Sequence, residues 1–227
     1  ADIAINLSGF ALDQVGGTTA QIQVTADGDV EFLQGGDPLL VDLAGDGLTA
    51  ADFAKGVGNF DINLDGYKDD VYMPVGTGAG LLVFDAAGDN FGNYTTELSF
   101  KDHIFSEYFE FGGKYARSSL EALSLLDSNS DGTIDSDDAR CGASYLWSDD
   151  GDGLLENGET KTITSAAIDN VIAAGITQTA GEAATVLRTA SIEVAGQQKT
   201  LYEVALGHDL DKSQYNAPFD AETISIN

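Results

Sequence analysis

Asp127, Asn129 and Asp131 stand at alternate positions of one short stretch, and Gly132 follows them. Oxygen-bearing side chains at that spacing suit calcium, a hard cation that takes about six to eight oxygen ligands. The chain must also turn sharply around the ion, and glycine at the sixth position of the loop permits this. Counted from Asp127, Thr133 offers its backbone carbonyl at position seven and Ile134 points to the core. Asp135 can act through water, and Asp138 closes the loop at position twelve, where Glu is usual. A second loop follows, with Asp150, Asp152, Gly153 and Glu159 at positions three, five, six and twelve and the Leu154 carbonyl at seven. Its first position falls on Ser148, a poor ligand. A loop one residue shorter places Asp149 there, and this is the preferred reading.

Three further stretches repeat the pattern in part. Asp61, Asn63, Asp65 and Gly66 form a good first half with the Tyr67 carbonyl next, but Tyr72 stands at position twelve, so Asp69 or Asp70 must compensate. Asp42 and Asp46 flank Ala44, and Asp85 and Asp89 flank Ala87, so each of these loops lacks one ligand; Glu97 is placed to close the second. All five copies follow an apolar run, from LLVDLAGDG at Leu39 to LWSDDGDG at Leu146. That recurrence argues for metal loops rather than a merely solvated acidic face.

The balance of charge agrees. The chain has 227 residues, 38 of them Asp or Glu against 10 Lys or Arg, a formal net charge of −28. Such a fold repels itself unless cations neutralise it. Phosphate binding needs a basic face, so nucleic acid is excluded as a partner, and an anionic membrane surface is disfavoured. No apolar run approaches the length of a membrane span, so membrane insertion is not expected. Cys141 is the single cysteine, so no internal disulfide forms. Nothing resembles a signal peptide.

The elements that must position the loops read as α+β and β-rich: terminal β segments framing a calcium-loop region with two or three short helices. Ile3, Ile5 and Leu7 alternate, as do Ile22 and Val24, and Val30 to Leu33 adds a strand. Near the C-terminus, Ser191 to Val194, a turn at Gly196 and Leu201 to Leu206 read as a hairpin. Ser118 to Glu121 is a capping box that opens a helix through Leu126 into the Asp127 loop. Thr164 or Ser165 caps a second helix running to Ala174 and stopping at Gly175, and a short exit helix starts at Ser136. No linker divides the chain, so residues 1–227 read as one ligand-binding domain with its calcium-loop region at about 38–175.

The ordered series from Pro38-Leu39-Leu40-Val41-Asp42 through the Asp61 loop, Leu81 to Asp85, Leu120 to Leu123, the Asp127 loop and Trp147 to Glu159 resembles the EF-hand-like module of haemolysin-type (RTX) secreted bacterial proteins. Ala44, where that family has Asp, and the short loop after Trp147 depart from its pattern. The resemblance implies export without an N-terminal signal and folding outside the cell in abundant calcium. Within that class the chain is most similar to ligand-binding domains, including a peptide-binding type, of large RTX adhesins. It implies a monomeric module of a longer chain that binds a peptide or a glycan on another cell. The expected contact surface is Phe105, Tyr108, Phe109, Phe111 and Tyr115, because exposed rings give large contact area at small entropic cost. The competing readings are a calcium-stabilised spacer and a hydrolase. His103 and His208 are the only histidines, and no Gly-x-Ser-x-Gly or HExxH motif is present, so no catalytic activity is expected.

Overall fold

The computed structural model describes residues 22–24, 30–32, 37–56, 60–62, 68–86, 98–116, 118–173, 180–181 and 183–209. Strands β1 (Ile22–Val24) and β2 (Val30–Phe32) pair antiparallel as a separate hairpin. The apolar runs that precede the loops become β3 (Leu39–Asp42), β6 (Ala79–Phe84) and β10 (Ser144–Trp147). Between the first two lie β4 (Phe53–Lys55) and β5 (Asp70–Pro74). The two-residue strands β7 (Glu110–Phe111) and β8 (Lys114–Tyr115) form a small hairpin, and β9 is Thr133–Ile134. Three long strands complete the molecule: β11 (Thr160–Ala173), β12 (Ala184–Val194) and β13 (Gln197–Leu206), followed by the short β14 (His208–Asp209).

Seven of these strands form one antiparallel sheet in the order β10-β6-β3-β13-β12-β11-β9, and β10 pairs with β11 as well. Six strands therefore close into a ring, with Tyr145 opposite Val83 on one edge of β10 and opposite Thr162 on the other. Closure removes the unpaired edges that an open sheet exposes. Alternate residues divide between two cores. Leu39, Val41, Leu82, Phe84, Leu146, Ile163, Ile192, Val194 and Leu201, drawn from all six strands, share one cluster with the helix residues Leu120, Ala122 and Leu123. Leu40, Leu81, Val83, Trp147, Tyr202 and Val204 form a second cluster on the opposite face, covered by Phe53, Val71 and Met73 of the three-stranded β14-β5-β4 sheet. Burial on both faces explains why Leu39 to Val41 of β3 and all of β6 are apolar rather than alternating. Gly80 is required by this packing, because a Cβ there would lie 2.8 Å from Leu146 Cγ and 3.2 Å from the Trp147 carbonyl.

The expected α+β class is corrected. Among the described residues there is one α-helix, α1 (Ser119–Ser124), with two 3-10 turns at Ala50–Asp52 and Cys141–Ala143. The cap at Ser118 is present, its hydroxyl accepting the Glu121 N–H at 3.1 Å. Of the helix expected from Thr164 to Ala174, the described residues 164–173 are instead part of β11, paired with β12 on one edge and with β10 and β9 on the other. Its alanines and serine suit a helix locally, but closing the barrel outweighs a propensity of a few tenths of a kcal/mol per residue. The exit helix from Ser136 is replaced by turns and the 3-10 turn at Cys141. Ile3, Ile5, Leu7 and Leu33 lie outside the described residues. No helix among the described residues is long and apolar enough to cross a membrane.

Candidate metal-binding loops

Helix α1 runs directly into the Asp127 loop, whose carboxylates are fixed by backbone hydrogen bonds. Asp127 Oδ1 accepts the Ser130 N–H at 2.6 Å, and Oδ2 accepts the Gly132 N–H at 3.1 Å. Asn129 Oδ1 accepts the Asp131 N–H at 2.9 Å, and Asp131 Oδ1 accepts the Thr133 N–H at 2.9 Å. Gly132 has φ +85°, the left-handed region that glycine enters at no steric cost. Thr133 begins β9, which anchors the loop to Ala166 and Ala167 of β11. Asp138 folds back and is 5% exposed, accepting Ser128 N–H at 2.6 Å and Asp135 N–H at 3.0 Å. Burial alone would raise its pKa, but these hydrogen bonds outweigh burial and hold the carboxyl below its ordinary value. Cys141, just beyond, is buried in the cluster that also holds Leu120 and Leu123 of α1.

The loop after β10 is built around Asp149, which is 1% exposed and accepts the Gly153 N–H on both oxygens, at 3.1 and 3.2 Å. Asp149 is thus the residue that receives the turning glycine's N–H, the part Asp127 plays for Gly132. Asp149, Asp150 and Asp152 each present a carboxylate oxygen within 4.8 Å of the others. Like charges so close repel, and burial together with neighbouring Glu159 and Asp152 holds Asp149 above its ordinary range; the Gly151 and Gly153 amides oppose this. Glu159 closes over the loop. Its oxygens accept Asp150 N–H at 3.0 Å, Glu156 N–H at 2.9 Å and Trp147 Nε1–H at 3.0 Å. Three carboxylates within reach of one point are a hard-oxygen donor set that fits a divalent cation such as calcium. The Leu154 N–H donates to Asp152 Oδ1 at 2.9 Å.

The other loops differ. Asp42 is 5% exposed, and its two oxygens are occupied by the Gly45 N–H at 2.6 Å and the Gly47 N–H at 2.8 Å. The Lys199 ammonium donates to the Leu43 carbonyl at 2.8 Å, so a cation of the protein already sits on this loop, beside a cavity of about 400 Å³. Asp46 is exposed. Asp85 is 2% exposed, and Arg140 Nη2 donates to the neighbouring Ala86 carbonyl at 2.9 Å. Where sequence reasoning found a missing ligand, at Ala44 and Ala87, a basic side chain therefore binds a loop carbonyl. Asp61 is partly buried, and Asp69, 2% exposed, accepts the Ile62 N–H at 3.3 Å, so Asp69 rather than exposed Asp70 is turned into that loop. Asn63, Asp65, Tyr67, Asp89 and Glu97 lie outside the described residues.

The expected aromatic contact surface is corrected. Phe105 and Phe109 are fully buried, their centroids 4.9 Å apart and 5.9 and 5.7 Å from Phe84, in the cluster that also holds Leu120 and Leu123 of α1. Apolar segments outside regular strands still needed burial, and these rings satisfied it. Tyr108 and Phe111 are half-buried, Phe111 standing edge-on to Phe84 with the Arg140 guanidinium 5.7 Å from its ring. The Tyr115 side chain lies outside the described residues. Ser99, Asp102 and His103 meet in one turn, but Ser99 Oγ donates to Asp102 at 3.2 Å and His103 Nδ1 accepts the Ser99 N–H at 3.1 Å. Ser99 Oγ also stands 3.4 Å from His103 Nδ1; burial lowers the imidazole's pKa, and the charges of Asp102 and Asp85 oppose this.

Sequence reasoning missed Lys199, Arg140 and an ion pair at 2.7 Å between buried Glu203 and exposed Arg188. One signal was available: Glu203 shares a strand face with buried Leu201, an inward position for a charge.

Fold and loops together define a closed antiparallel β-barrel that carries acidic turns on the ends of its strands. The SPM domain family model matches residues 39–207, from the first residue of β3 to the residue after β13, and the chain belongs to that family.

Proposed function

We propose that this chain is a calcium-dependent ligand-binding module of a secreted RTX-type adhesin, and that its ligand is a peptide on another cell's surface. The observation that carries the calcium reading is the Asp149, Asp150 and Asp152 triad, whose oxygens lie within 4.8 Å of one another in a chain of net charge −28. The Asp127 loop supports it with further carboxylates, those of Asp127 and Asp131, oriented by backbone N–H groups. A peptide carboxylate is the ligand chemistry that bound calcium would recruit to so acidic a surface, because the bare protein repels anions. Half-buried Tyr108 and Phe111 remain as rings able to meet apolar side chains of the peptide.

A peptide and glycan array probed in millimolar calcium and again in EDTA tests this reading. Peptide signal lost in EDTA is the expected result. Binding that survives EDTA in folded protein would reject the calcium bridge, and binding confined to glycans would reject the peptide.

A further inference from the structure

Beside the Asp42 loop lies a cavity of about 400 Å³, lined by Asp42, Gly45, Ser191, Gln198, Lys199 and Thr200. Three adjacent strands of the barrel bring these residues together. β13 pairs with β3 at Leu201 and Val41, and the next residues in that register are Thr200 and Asp42. On its other edge β13 sets Thr200 opposite Ser191 of β12. Residues directly opposite one another share a sheet face, so these two side chains are neighbours. Paired strands and the loop that follows β3 therefore frame the cavity.

Its polar groups are held in place without being used up. Asp42 is 5% exposed and accepts the Gly45 N–H at 2.6 Å on one oxygen and the Gly47 N–H at 2.8 Å on the other. A carboxylate has about four acceptor sites, so each oxygen keeps one. The Lys199 ammonium gives one of its three hydrogens to the Leu43 carbonyl, at 2.8 Å. Gln198 Nε2 reaches Glu193 only at 3.4 Å. Ser191 is exposed and Thr200 half-buried, and each hydroxyl can both donate and accept.

This lining selects a class of ligand. All its residues but Gly45 carry a polar or charged side chain, so an apolar molecule finds nothing to bury against. An anion faces Asp42 in a chain of net charge −28, and a free cation faces Lys199. A neutral molecule with several hydroxyls suits both, donating to Asp42 and accepting from Lys199. We propose that this cavity is a second binding site, for a neutral sugar, separate from the calcium-dependent peptide site. Its volume lies toward the lower end of small-molecule sites, roughly 300–1,000 Å³, which suits a short saccharide. Asp42 and Lys199 bind hydroxyls of the ring, and Ser191, Gln198 and Thr200 bind the rest. No ion takes part, so the site stands apart from the calcium reading.

Nuclear magnetic resonance of the 15N-labelled chain at one fixed calcium concentration tests this, with glucose, galactose, mannose and N-acetylglucosamine as neutral probes and N-acetylneuraminic acid as the anionic contrast. At least one neutral sugar should shift the Gly45, Ser191, Gln198, Lys199 and Thr200 amide signals saturably, at about millimolar concentration. The anionic sugar should bind more weakly than that neutral one. Ser191→Trp fills the cavity from an exposed position and Lys199→Met removes its ammonium. Each should weaken the sugar by about tenfold or more while leaving calcium-dependent peptide binding unchanged. No saturable shift at these amides with any neutral sugar, tighter binding of the anionic sugar, or equal sugar affinity in both variants would overturn the site. Sugar binding that persists in a chain that binds no peptide would uphold the site and count against the peptide reading alone.

Discussion

At the scale of the residue, four of the five acidic loops separate into two kinds. Asp127 and Asp149 receive the N–H of their turning glycine, while the neighbouring acids Asp131, Asp150 and Asp152 on the same loops are exposed. At the Asp42 and Asp85 loops, Lys199 and Arg140 bind a loop carbonyl, which places a positive charge where the acids would otherwise gather one from solution. The acids of both kinds could be read from spacing alone, as could the gaps at Ala44 and Ala87. The basic partners could not, because Lys199 lies far along the chain from Leu43 and only barrel closure brings them together. Calcium titration of two variants separates the kinds. Asp127→Ala should lower the calcium stoichiometry by one. Asp42→Ala should leave stoichiometry unchanged yet destabilise the fold by about 1–3 kcal/mol, because it strips the acceptor from two amides at a buried position. A lost calcium in Asp42→Ala would show that the first loop is a metal site after all.

At the scale of the element, short apolar runs and the final hairpin were readable, and β11 was not. Leu39 to Val41, Leu81 to Phe84 and Tyr145 to Trp147 announce strands because they are apolar on both faces. The 164–174 stretch carries a serine cap, paired alanines and a terminal glycine, all local helix signals. Its fate was set by distant strands that needed a neighbour, which no local pattern reports. The β12–β13 hairpin was visible from Gly196, and the structure adds a detail the pattern lacked. Ala195 has φ +50° and Gly196 φ +76°, so both central residues of the two-residue turn are left-handed. An alanine there stores strain of about 1 kcal/mol, which glycine relieves. Ala195→Gly should raise the midpoint of thermal unfolding measured by circular dichroism, and a lowered midpoint would show that the turn carries no such strain.

At the scale of the whole molecule, the charge of −28 and the closed barrel pull in opposite directions. Pairing around the ring and two apolar cores hold the strands, while acidic loops crowd the strand ends and repel one another. Composition announced that imbalance; ring closure was not readable, because it rests on long-range pairings such as Tyr145 with Val83 and Thr162. Calcium resolves the conflict if the loops hold it, since an ion that binds only the folded state stabilises it by mass action. At a concentration about a hundredfold above its dissociation constant, each such site adds about 2.7 kcal/mol. Magnesium should substitute poorly, because it demands a smaller and near-octahedral cage. The most direct measurement is thermal unfolding in EDTA and in millimolar calcium, at one pH and one ionic strength. The account predicts a midpoint raised markedly by calcium and little by magnesium, and an identical midpoint in EDTA and in calcium would contradict it.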